Sequence, residues 1–156
     1  MLPLYEGRPA AGRQLVVTDF EGRTVLDGAS ATVPKPATPR VPESRVVARR
    51  VPGPTGAADE AVALDFHRSW IAMLKLEGGA PADLRPFLGG TLVFDLRVDA
   101  MAEGGLKFKL NCGEGCERKL PFLAESRALA GRGWQRLAIA LSCFRREGDD
   151  FGVVPL

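Results

Sequence analysis

The segment TLVFDLRV, residues 91–98, decides the fold. Leu92, Phe94, Leu96 and Val98 fall on one side of an extended chain, and Thr91, Asp95 and Arg97 fall on the other. Strand side chains alternate between faces with period two, so this pattern gives a strand with one oily and one wet face. Residues 106–110 (LKFKL) repeat it, with Leu106, Phe108 and Leu110 inward and Lys107 and Lys109 outward. Antiparallel sheets commonly bury one face and wet the other.

The flanking chain extends the pattern. Residues 134–141 (WQRLAIAL) form a further strand with Leu137, Ile139 and Leu141 in phase, and Ser142-Cys143-Phe144 leaves it as a helical turn. Residues 120–129 suit a short helix. Residues 81–87 open with a helix-start signal and are cut to a single turn by Pro86. Toward the N-terminus, residues 61–66 (AVALDF) and 69–76 (SWIAMLKL) are strands; Trp70, Ala72, Leu74 and Leu76 share one face of the second. Residues 14–20 and 24–26 pair across a tight turn at Glu21-Gly22. Prolines 34, 36, 39, 42, 52 and 54 crowd the stretch between. Each lacks a backbone N–H, so no central strand runs through the cluster at 34–39, although residues 45–51 suit a short one.

Composition agrees. Of 156 residues, 18 are Gly and 12 Pro, a share that favours turns between short strands. The expected fold is all-β, a β-sandwich with one or two short helices. A net charge of +2, with Arg45, Arg49, Arg50, Arg145 and Arg146 scattered, lacks the excess and the stacking aromatics of a nucleic-acid binder. No apolar stretch reaches the roughly 20 residues of a membrane span. Residues 1–6 carry no charged n-region and no apolar h-region, so they do not read as a secretory signal.

Few residues offer chemistry. Cys112-Gly113-Glu114-Gly115-Cys116 allows a disulfide or two free thiols, and both readings stand. Zinc would need Cys143 and His67 as well, at a spacing that gives no support. His67, the one histidine, sits at a turn beside Arg68, and no G-x-S-x-G elbow accompanies it. The carboxylate pairs Asp19 with Glu21 and Asp149 with Asp150 lie in turns rather than across a pocket, as glycosidase catalysis requires. The second pair leaves room for a structural cation such as calcium; no cofactor is called for. Trp70 and Trp134 are flat platforms of the kind on which sugar C–H faces pack, with His67 and Arg68 as candidate polar neighbours. Trp70 shares a face with leucines, which favours core. Trp134, out of phase with Leu137, Ile139 and Leu141, faces outward or caps the sheet end.

Four segments in order carry a resemblance: residues 92–99 (LVFDLRVD), 111–116 (NCGEGC), 133–137 (GWQRL) and 141–144 (LSCF). Together they resemble the C-terminal galactose-binding-like β-sandwich of bacterial family 3 glycoside hydrolases, the exo-β-glucanases and β-glucosidases. The resemblance implies a non-catalytic jelly roll, with residues 1–13 as a connector and residues 14–156 as one domain. It implies partner catalytic domains that release glucose from β-glucans and cello-oligosaccharides through an aspartate nucleophile and a glutamate acid/base. No equivalent of either is present here. A full-length parent would be periplasmic or secreted. Family members continue past Leu156 into closing strands, so the resemblance implies a truncated sandwich whose open edge could self-associate. The alternative is a structural or interaction module with no ligand of its own.

Overall fold

A computed structural model describes residues 2, 4–10, 12–69, 71–79, 83–101, 106–111 and 117–144. The chain divides into two compact units, Met1–Gly79 and Ala80–Leu156.

Among the described residues the first unit holds six strands: β1 (Arg13–Asp19), β2 (Arg23–Val25), β3 (Ser30–Thr32), β4 (Arg45–Gly53), β5 (Gly56–His67) and β6 (Ala72–Gly78). They form two antiparallel three-stranded sheets, ordered β2-β1-β6 and β3-β4-β5. Leu15 and Val17 of the first sheet and Val46 and Ala48 of the second share one core with Leu26 and Val33. β-Branched and leucine side chains at alternate positions supply that seam, as the period-two pattern requires. Ala72 and Leu76 pack against the same core from β6, whereas Leu74, opposite Val17, is 39% exposed. Trp70 lies outside the described residues.

No strand occurs among residues 33–44, as the proline cluster demands. Pro52 is nonetheless inside β4. β3 pairs only with residues 47–49, and the β4–β5 register shifts at Pro52/Gly53, so the missing N–H falls where the ladder is already interrupted.

In the second unit a 3-10 turn (Arg85–Phe87) precedes β7 (Thr91–Arg97), β8 (Lys107–Asn111) and β9 (Glu117–Pro121). Helix α1 (Leu123–Leu129), β10 (Trp134–Ala140) and a second 3-10 turn (Leu141–Phe144) follow. β7 pairs antiparallel with β10, and β8 with β9. Their inward residues meet Leu84, Leu110, Phe122, Ile139, Leu141 and Phe144 in one core. Phe108 packs against it, with ring centroids 4.8 Å from Phe94 and 5.1 Å from Phe122. Both contacts are tilted or edge-on, the geometry that aromatic quadrupoles favour.

One expected element changes. Residues 120–129 read as a single helix, but the chain stays extended through Pro121 and turns helical only at Leu123. The Phe108↔Leu120 pairing captures the start of that segment for the sheet.

Candidate functional site

Trp134 is the first residue of β10. Gly133 before it adopts φ 74°, a left-handed backbone that favours glycine, and the Gly131 amide donates to the Val98 carbonyl at 2.9 Å. This turn sets the register: Trp134 opposite Arg97, Arg136 opposite Asp95, Ala138 opposite Val93, Ala140 opposite Thr91. Leu137 and Ile139 point into the core, so Trp134, Arg136, Ala138 and Ala140 share the outward face. Of the two positions the sequence leaves open for Trp134, the structure gives the outward one, at the strand's first residue and with the indole half-buried.

The charges on this face are matched. Arg136 donates through Nε and Nη2 to the two oxygens of Asp95, at 3.2 and 3.0 Å. Those hydrogen bonds raise the Arg136 pKa above its ordinary value. Arg97 pairs with Asp99 at 2.6 Å. The forked Arg136–Asp95 pair holds its donors and acceptors in fixed positions. Beyond them the face becomes apolar: Val93 is 55% exposed, beside exposed Ala138 and Ala140.

The other sequence candidates sit elsewhere. His67 ends β5 opposite Arg45, exposed, and Arg68 follows in a left-handed conformation with its guanidinium 2.6 Å from Glu43. Both belong to the first unit, Trp134 to the second. Cys112, Cys116, Asp149 and Asp150 lie outside the described residues. Cys143 is an exposed free thiol. Among the described residues no cluster of His, Cys, Asp and Glu is arranged to hold a metal ion.

Asp19 and Glu21 are not in an exposed turn as their setting implies. The Asp19 side chain is 1% exposed and that of Glu21 7%. Asp19 Oδ1 accepts from the Glu21 and Gly22 amides at 2.7 and 2.8 Å, and Oδ2 binds the Lys35 ammonium. Glu21 accepts from the Arg40 amide, and the Arg40 guanidinium lies 4.6 Å from the centre of the Phe20 ring. The proline-rich segment thus folds back over the turn, and its cation fills the space between the carboxylates.

Residues 51–155 match the family model Exop_C, galactose-binding domain-like. Among curated proteins, none matches the chain. Among solved structures, the exo-1,3/1,4-β-glucanase (EXOP) from a Pseudoalteromonas species aligns over 97% of the chain at 19% identity, with a TM-score of 0.55. The chain spans 17% of that protein's length, and at this identity the likeness speaks for the fold alone. The strands, the two cores and the matched segment agree on an all-β sandwich, and the chain belongs to the Exop_C galactose-binding domain-like family.

Proposed function

We propose that the chain is a non-catalytic accessory domain of a family 3 glycoside hydrolase, and that it holds β-glucan or cello-oligosaccharide on the outward face of β7 and β10. The observation that carries this reading is Trp134, half-buried on that face with Arg97 across from it and the Asp95–Arg136 pair one step along. A pyranose ring laid on the indole buries its C–H face. Its hydroxyls then reach guanidinium donors and carboxylate acceptors already fixed in place. The matched charges leave nothing to repel or over-attract a neutral glycan. The likeness to a glucan-cleaving enzyme supports the choice of glycan. In this reading residues 14–156 act as one accessory domain, entered through residues 1–13.

Calorimetric titration with laminarin and with cello-oligosaccharides, alongside tryptophan fluorescence, tests it. Binding is expected, and Trp134→Ala should weaken it about tenfold or more, as for a buried aromatic anchor. Absence of heat and of quenching at millimolar glycan removes the binding role.

A second reading rests on exposed Val93 with Ala138 and Ala140: this apolar end docks on the parent enzyme or on another copy. Light scattering separates the two. Concentration-dependent association abolished by Val93→Lys favours docking, and a monomer that binds glucan favours the first reading.

A further inference from the structure

We propose that the outward face of the β3-β4-β5 sheet binds an acidic polysaccharide, a linear glycan carrying carboxylate or sulfate groups. Alternation along β4 sends Val46 and Ala48 into the core and Arg45, Val47, Arg49 and Val51 outward. The register completes the face. His67 lies opposite Arg45 and Asp65 opposite Val47, while Arg49 stands between Ser30 on one side and Ala63 on the other.

The Arg45 and Arg49 side chains are exposed and, among the described residues, form no ion pair or hydrogen bond. That sets them apart from Arg23, Arg50, Arg68, Arg85, Arg97 and Arg136, each of which has an acidic partner. Asp65 is the one acid in the rows between them, so the stripe keeps a positive excess. Four residues of strand separate the two guanidinium stems by about 13 Å. Two forks on one straight line, above a floor of Val47, Ala61 and Ala63, match an extended polymer with repeated charges better than a point anion. Ser30, Thr32 and His67 add hydrogen-bonding groups for its hydroxyls.

The chemistry of the face selects among polyanions. Among the described residues it presents no Phe, Tyr or Trp side chain: Phe66 is paired with Val46 and belongs to the opposite face. Protein docking sites rely on aromatic anchors, and single-stranded nucleic acid on stacking platforms. A sugar acid needs only the guanidinium forks and the hydroxyl partners.

The test is affinity electrophoresis of the whole chain through gels containing polygalacturonate, laminarin, poly-glutamate or oligothymidylate, at low and high salt. Polygalacturonate should retard the protein at low salt and release it at high salt. Arg45→Gln/Arg49→Gln should weaken that retardation at least about tenfold while leaving any laminarin retardation unchanged. Both side chains are exposed, so an unchanged urea midpoint confirms that the double variant is folded. The inference is overturned by three outcomes: polygalacturonate fails to retard the wild type, the double variant is retarded equally, or poly-glutamate or oligothymidylate is held more tightly through the same arginines. None of these depends on Trp134, so the β7–β10 reading stands or falls separately.

Discussion

Replacing Lys35 by Met should cost about 3 kcal/mol, and the number follows from what the ammonium leaves behind. Asp19 Oδ1 keeps its two backbone donors, but among the described residues Oδ2 has only Lys35. Glu21 Oε2, buried and without a hydrogen bond, lies 3.5 Å from the same nitrogen. Breaking a buried ion pair from one side costs about 3–5 kcal/mol. The surviving amide donors, and a lysine side chain still 20% exposed, place this case at the lower end. For a unit of this size, that loss lowers the melting temperature by about 12–24 °C. Urea unfolding followed by circular dichroism reads it directly as a shift in midpoint at constant slope. The charge argument makes a sharper demand on Asp19→Asn/Lys35→Met. Asparagine keeps the acceptor for both amides and removes the stranded charge, so the double variant should be at least about 1 kcal/mol more stable than Lys35→Met alone. A loss below about 1 kcal/mol for Lys35→Met, or strict additivity of the two changes, refutes the reasoning.

In the second core, Phe122→Ala should cost about 3–5 kcal/mol, and a Phe108→Leu/Phe122→Leu cycle should show about 0.5–1.5 kcal/mol of coupling by urea unfolding. Hydrogen bonding from Arg23 holds the Glu77 carboxyl below its ordinary pKa despite partial burial. Its stabilisation is therefore present above the ordinary carboxylate range and lost as pH falls through the lowered value. Glu77→Gln should cost about 0.5 kcal/mol at neutral pH, since both partners are substantially exposed, and nothing in acid or in high salt. A Cβ at Gly22 would overlap the Pro34 carbonyl and meet Val33 Cγ1 at 2.9 Å. Gly22→Ala should accordingly lower stability by about 1–3 kcal/mol in a thermal melt.

Alternation carried most of the fold. Residues 91–97 and 134–140 announce their strands because each turns its large apolar side chains to one side, Leu92, Phe94 and Leu96 in the first and Leu137 and Ile139 in the second. β9 (ERKLP) has a single apolar side chain to bury, and β3 (SAT) has only alanine; pairing with β8 and β4 makes them strands. Such strands depend on partners distant in sequence, which no local pattern records. The same limit hid the burial of Asp19 and Glu21. Their neighbours in sequence describe a turn, and the cation that covers them arrives 16 residues later. From its phase alone Trp134 could be kept off the inward face, but the choice between an outward position and the sheet end needed the structure. Arg97 could not be placed beside it, because the β7–β10 register joins residues about forty positions apart.

That register also separates two surfaces that look alike in sequence. β4 and β10 both carry arginine among apolar or small residues on their outward sides. On β10 the residue across from Arg136 is Asp95, which takes both ends of the guanidinium and cancels its field. On β4 the residues across from Arg49 are Ser30 and Ala63, which leave the field intact. A cancelled charge on a fixed fork is a hydrogen-bonding device suited to neutral hydroxyls. An uncancelled charge attracts anions at a distance and weakens as salt is added. Cross-strand partners therefore turn one residue type into two recognition chemistries, and salt dependence is the property by which the two faces can be told apart.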